Sequence, residues 1–206
     1  MPEPVLAARS ALATVAMVGH HGAGGSPGVT LTELRGLKLA SLTARTAKTD
    51  DLAAGIERAF GVVLPARPGY AAKDSAAFVW SARNRWLVVG EASDDVLRRL
   101  NSCVGELGYV TDLTGSRTIL RVGGSRARDG LMKLLPIYLD EEAFGIGAAA
   151  STVAARMPVQ VWSGQAGVYD IAVPRSYGFG LWRALLAACA EFGCQVDGDS
   201  RGSPSE

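Results

Sequence analysis

Val79-Trp80-Ser81-Ala82-Arg83-Asn84-Arg85-Trp86-Leu87-Val88-Val89 is the stretch on which the fold turns. Apolar and aromatic residues flank Arg83-Asn84, the pattern of two strands joined by a tight turn. Its opening, Val79-Trp80-Ser81, returns 82 residues later as Val161-Trp162-Ser163, and a second pair, Val29-Thr30 and Val110-Thr111, is 81 residues apart. The segments around these matches repeat in type and order. Residues 29–42 read as a strand pair before a helix over 49–60, and residues 110–122 as a strand pair before a helix over 125–135. Residues 79–89 feed an amphipathic segment over 94–107, and residues 161–173 feed one over 176–192. Each half reads hairpin, helix, hairpin, helix. Two copies are too few for a solenoid, which needs about three stacked repeats. The expected class is therefore α/β (α+β), with pseudo-symmetric duplicated halves in one domain over residues 29–196.

Length and composition permit such a core, since 48% of the 206 residues are apolar. Lys and Arg number 21 against 20 Asp and Glu, with no basic block or aromatic-spaced basic stripe, so no nucleic-acid partner is expected. The apolar run at residues 12–18 lacks a clustered basic flank. A membrane helix needs about 20 residues, and a signal peptide needs a longer apolar stretch behind a positive leader. No membrane contact and a cytoplasmic location are expected. Cys103, Cys189 and Cys194 are an odd, sparse set, which argues for reduced thiols over a disulfide framework.

Local signals punctuate the chain. Residues 19–28 hold five glycines and a proline, so residues 1–28 are expected to form a flexible N-terminal arm. Arg35-Gly36 is the expected turn of the first strand pair, and Thr49-Asp50-Asp51 supplies N-cap chemistry for a helix that Gly61 ends. Residues 64–74, with Pro65, Pro68 and Gly69, read as a surface loop, and Ser93-Asp94-Asp95 starts the next helix. Gly123-Gly124-Ser125 leads into a helix that Pro136 stops, after which residues 137–150 read as irregular. The last helix repeats Leu181, Leu185, Ala188 and Phe192 at helical spacing before Gly193, and residues 197–206 form a polar tail.

Catalytic constellations are hard to find in this sequence. The segment Gly19-His20-His21-Gly22-Ala23-Gly24-Gly25 lacks the Gly-Lys-Ser/Thr ending of a phosphate loop, and a strand rather than a helix is expected after it. His20 and His21 are the only histidines; as neighbours they cannot face one metal as an i, i+4 helical pair does, and no C-x-x-C accompanies them. Without an ordered histidine base a hydrolase triad is not expected. Glu141-Glu142 and Asp50-Asp51 are adjacent acids that do not face each other across a cleft, and Cys103 and Cys189 fall on apolar helix faces. Asp112 and Arg117 are expected to pair across the turn Asp112-Leu113-Thr114-Gly115-Ser116-Arg117 in a structural role. Trp80, Trp86, Trp162 and Trp182 are expected to pack against their helices. No catalytic, cofactor-binding or metal-binding residue is assigned.

With both halves laid out, the chain resembles the gamma-subunit family of heterotetrameric sarcosine oxidases. The resemblance is carried by residues 110–117, residues 131–140, Phe144, Gly147 and Thr152, then Val173-Pro174-Arg175-Ser176, Leu181-Trp182 and Glu191-Phe192-Gly193. Val29-Thr30-Leu31-Thr32-Glu33-Leu34 and Leu39-Ala40-Ser41-Leu42 add to it, so it covers roughly residues 29–196. The family often has Lys-Gly where this chain has Lys133-Leu134, and Asp-Leu where it has Tyr138-Leu139. The resemblance implies a fold similar to the folate-binding domain of aminomethyltransferases. It implies a complex of alpha, beta, gamma and delta chains that oxidises sarcosine to glycine, hydrogen peroxide and a one-carbon unit captured by tetrahydrofolate. FAD, FMN, NAD and zinc would be held by the partner subunits, and gamma would be a non-catalytic structural subunit docked mainly on alpha. The alternatives are a free-standing folate-binding or aminomethyltransferase-like protein and a small solitary regulator. The Lys-Gly-Cys-Tyr-x-Gly-Gln-Glu signature of related iron-sulfur-assembly folate proteins is absent.

Overall fold

The computed structural model describes residues 9–91 and 93–198. Residues 1–8 of the expected arm and 199–206 of the expected tail lie outside the described residues. In chain order the elements are β1 (Gly19–His21), β2 (Val29–Leu34), β3 (Lys38–Ala44), α1 (Thr49–Phe60), β4 (Tyr70–Lys73), β5 (Ala76–Ala82), β6 (Arg85–Gly90) and α2 (Val96–Val104). The second half continues with β7 (Gly108–Asp112), β8 (Arg117–Gly123), α3 (Ala127–Met132), β9 (Ala149–Ala154), β10 (Met157–Gln165), β11 (Val168–Pro174), α4 (Gly178–Cys189) and β12 (Cys194–Asp197). The duplication is explicit: two strands, a helix, three strands and a helix run from β2 to α2 and again from β7 to α4.

Each half has one strand more than the sequence pattern shows. β4 lies inside the segment read as a loop, and β9 begins inside the segment read as irregular. Both are edge strands, β4 with β5 as its neighbour and β9 with β10. Tyr70-Ala71-Ala72-Lys73 is short, and Pro65 and Pro68 precede it where no ladder hydrogen bond is needed.

The sheets are ordered β1-β12-β2-β8-β11-β10-β9 and β4-β5-β6-β3-β7. β5 with β6 and β10 with β11 are antiparallel neighbours joined by short turns, as read. The first strand pair of each half is not a hairpin. β2 lies in the larger sheet and pairs with β8, whereas β3 lies in the smaller sheet and pairs with β7. The segments 30–44 and 108–123 thus form two bent ribbons running antiparallel to each other from one sheet into the other. Gly36, at φ 69°, takes one ribbon through its bend. The bends are tied to each other: Leu113 N donates to Leu39 O at 2.8 Å, and Leu39 N donates to Thr114 Oγ1 at 3.1 Å. An isolated two-stranded hairpin is marginal in water. Exchanging partners gives β2, β3 and β8 a neighbour on both sides.

Apolar residues collect in three clusters. One, with Val29, Leu31, Leu120, Val122, Ile171 and Val173, packs the larger sheet on Leu131 of α3 and Leu181, Trp182 and Leu185 of α4. A second packs Leu42, Phe78, Trp86 and Val88 of the smaller sheet on Leu52, Ile56, Val96 and Leu100 of α1 and α2. The third contains Leu34, Leu39, Val79, Leu87, Ile119, Ala149, Trp162 and Ala172, from both sheets and no helix. Neighbours such as Trp86 and Leu87, or Ile171 and Ala172, therefore point into different clusters. Burial of both faces accounts for the near-continuous apolar runs of β6 and β11.

Residues 9–28, read as part of a mobile arm, are mostly exposed but touch the fold at two places. Leu12 is fully buried in the cluster under the larger sheet, Val15 and Ala16 lie against it, and β1 pairs antiparallel with β12. The glycines serve close approach here. A Cβ on Gly22, at φ 83°, would stand 2.2 Å from the Ala190 carbonyl oxygen, and Ala23 N donates to that oxygen at 2.7 Å. Among the described residues, no helix is long and apolar enough to cross a membrane.

Candidate functional site

The place where the two ribbons cross is the most chemically distinctive part of the surface. Beside it opens a cleft of about 280 Å³, lined by the ends of β2 and β3, by Thr114 and the start of β8, and by Arg9, Ser10 and Arg175. Its charged residues are Arg9, Arg35, Lys38, Arg117, Arg175 and a single acid, Glu33. Glu33 is 6% exposed; its Oε2 accepts from Ser10 Oγ at 2.5 Å and Arg35 Nε at 2.8 Å. Arg175 donates to the Arg9 carbonyl oxygen, holding the N-terminal segment across one wall.

Arg117 and Asp112 do not form the expected pair. Asp112 Oδ1 accepts from Thr114 N at 2.8 Å, closing a local turn, and the Thr114 backbone hydrogen bond is the main cause of a lowered Asp112 pKa. Arg117 is half-buried instead, and burial lowers its pKa. It lines both this cleft and a broader groove between the sheets, where Ser81, Ser151 and Gln160 lie. There Ser151 Oγ donates to Ser81 O at 2.7 Å and Gln160 Nε2 donates to Ser81 Oγ, bridging β9 and β10 to β5.

A third recess is closed by a charged and aromatic cluster. Arg121 on β8 and Asp170 on β11 are cross-strand neighbours, joined by Nε to Oδ1 at 2.7 Å and Nη2 to Oδ2 at 2.8 Å. Tyr70 stacks on Trp162 with ring planes 13° apart, and burial, followed by the Asp170 charge, raises its phenol pKa. Tyr70 N donates to Gly147 O at 2.7 Å while Gly147 N donates to Ser163 O at 2.8 Å, a backbone relay from β4 to β10.

Of the residues weighed from sequence, Arg117, Trp86 and Trp162 line these recesses, whereas the histidines and cysteines do not. His20 and His21 sit on β1 and hydrogen-bond through Nε2 to the carbonyls of Ala23 at 2.6 Å and Met17 at 2.9 Å. Cys189 and Cys194 are fully buried, and burial pushes their thiols up to about 11 and about 12. Among the described residues, no group of three His, Cys, Asp or Glu side chains is placed to hold a metal ion. The glycine-rich segment runs strand, turn, strand, which does not fit a dinucleotide cradle. Sequence reading passed over Glu33, Arg121 and Asp170. The available signal was a charged residue inside a strand pattern, as in Leu120-Arg121-Val122 and Tyr169-Asp170-Ile171, because a charge so placed needs a partner. The arrangement offers guanidinium and hydroxyl donors suited to carboxylates.

Comparison with known proteins adds to this geometry. Residues 43–191, more than half of the chain, match the family described as sarcosine oxidase, gamma subunit family. The sarcosine oxidase subunit gamma of Corynebacterium sp. (strain U-96) is 34% identical over 112 residues, which cover 53% of this chain and 55% of that protein. The chain thus spans about half the length of the curated relatives it matches. A solved chain of the heterotetrameric sarcosine oxidase from Corynebacterium sp. U-96, in complex with pyrrole 2-carboxylate, aligns with a TM-score of 0.78 at 29% identity. That alignment covers 90% of this chain and 96% of that chain. The glycine cleavage system aminomethyltransferase T of Bartonella henselae aligns at TM-score 0.60 and 17% identity, over 84% of this chain and 48% of that one, and shows the fold alone.

Proposed function

The chain belongs to the sarcosine oxidase gamma-subunit family, and from that premise we propose that it is the gamma subunit of a heterotetrameric sarcosine oxidase. The observation that carries this reading is the alignment over 90% of the chain with a chain of such a heterotetramer. In this reading the complex oxidatively demethylates sarcosine to glycine, with hydrogen peroxide and 5,10-methylenetetrahydrofolate as the other products. The enzyme is an oxidoreductase acting on CH–NH donors as an assembly. This chain contributes structure: a rigid two-sheet scaffold docked mainly on the alpha subunit, with beta and delta as further partners. FAD, FMN, NAD and zinc reside on the partner subunits, and tetrahydrofolate is a co-substrate of the complex. The free thiols of Cys103, Cys189 and Cys194 suit a reducing compartment, which supports a cytoplasmic location.

The test is to purify the tagged chain from its own cells grown on sarcosine, recording companion masses and the flavin spectrum together. Three companions with bound flavin and sarcosine-dependent peroxide support the subunit reading. A colourless lone chain overturns it in favour of a free-standing aminomethyltransferase-like protein, the second reading that the shared fold keeps in play.

A further inference from the structure

We propose that the cleft at the ribbon crossing is a docking site for an acidic segment of a partner subunit, whose carboxylates seat on Arg117, Lys38 and Arg175. This rests on the subunit reading and adds to it a surface and the chemistry of what covers it. The cleft gathers five of the 21 Lys and Arg residues, Arg9, Arg35, Lys38, Arg117 and Arg175, against one of the 20 acids. On a chain of net charge +1 this is a concentrated positive field. Glu33, bonded to Ser10 and Arg35, offsets one of these charges and leaves Arg9, Lys38, Arg117 and Arg175 in excess.

Arg117 carries the argument furthest. It is half-buried on β8, and Asp112, the acid nearest to it in the turn, gives its carboxylate to Thr114. The Arg117 side chain meets no carboxylate among the described residues. A guanidinium removed from water without a counter-charge favours a partner that brings one, and its planar fork matches a carboxylate. Thr114, Thr118 and Ser10 add small polar groups to the wall. The excess of cations along the cleft suits inserted acidic side chains.

The chain is co-expressed with its three companion subunits as wild type, Arg117→Gln, Lys38→Glu and Arg58→Glu, the last lying on α1 outside the cleft. Dissociation constants for the companions are measured at about 0.1 M and about 1 M salt. The expected result is tenfold or greater weakening by Arg117→Gln and by Lys38→Glu, a smaller salt dependence in both, and no change in Arg58→Glu. A hexaglutamate peptide competes with assembly of the wild type. Wild-type affinity in both cleft variants, equal weakening by Arg58→Glu, or competition by citrate with none by hexaglutamate overturns the proposal. Melting temperatures are read alongside. If Arg117→Gln melts early, Lys38→Glu alone decides, because Lys38 is exposed and its reversal leaves packing intact. A wild-type chain that never binds companions removes the subunit reading itself, whereas cleft variants that still assemble remove only this proposal.

Discussion

Asp170 shows how much a single residue settles. It is 8% exposed and accepts from Arg121 Nε and Nη2, so Asp170→Ala removes two charge-assisted hydrogen bonds between two strands. The expected loss is about 1–3 kcal/mol, because the Arg121 side chain is 38% exposed and water screens the pair, with a smaller loss for Asp170→Asn, read from urea midpoints. Gly22 and Gly24 sit two positions apart with opposite constraints. Gly22→Ala forces a Cβ onto Ala190 O at positive φ and should cost about 1–3 kcal/mol, whereas Gly24→Ala, with open space around its Cβ, should stay within about 0.5 kcal/mol. The buried thiols give a pH signature. Cys189 and Cys194 stay neutral in the fold up to about 11 and about 12, while in the unfolded chain they ionise near the ordinary thiol value. Their contribution is complete below that value and is lost as pH rises through the folded values. Urea midpoints should therefore fall steadily above about pH 9, and thiol reagents at about pH 8 should label neither cysteine until the chain is denatured. From sequence, Glu33, Arg121 and Asp170 look like the solvent-facing members of alternating strands. The partner strands that enclose Glu33 and Asp170 are distant in sequence.

At the scale of elements, the repeat was legible because each copy preserves its order of strands and helices, and the Gly61 stop closes α1 in the left-handed conformation. Asp95 likewise caps α2 by accepting from Arg98 N. What the repeat could not convey is strand partnership. A strand-bend-strand segment has the same alternation whether it folds on itself or exchanges strands with its duplicate, and the contacts that decide, Leu113 to Leu39 among them, join residues far apart in the chain. The short edge strands β4 and β9 were missed for a related reason: proline and glycine beside them read as loop. The duplicated Val-Trp-Ser motif also diverges in burial. Trp162 is 2% exposed between the sheets, whereas Trp80 is only partly buried against the helix-side cluster. Trp162→Ala should cost about 3–5 kcal/mol and Trp80→Ala distinctly less, by chemical denaturation of both variants. Equal costs would contradict the assignment of Trp162 to the inter-sheet core.

At the scale of the whole molecule, three apolar clusters joined through the sheets make one scaffold. Tyr138 and Ile146, 79% and 69% exposed, lie between α3 and β9, while Met17 and Val18 are 69% and 68% exposed beside β1. Such apolar exposure fits a chain that is covered in an assembly. The isolated chain should aggregate on concentration, as light scattering would register, and should not bind tetrahydrofolate with micromolar affinity in calorimetry. The family could be recognised from sequence because short residue blocks recur in order over most of the chain. The basic cleft could not, because its cations come from positions 9, 35, 38, 117 and 175 and meet only after the ribbons cross. The most direct measurement is native mass spectrometry of the complex purified through this chain, with sarcosine-dependent peroxide assayed on the same sample. The account predicts one 21.5 kDa chain bound with three companions in an active oxidase. A 21.5 kDa species alone, or an active oxidase that lacks it, would contradict the account.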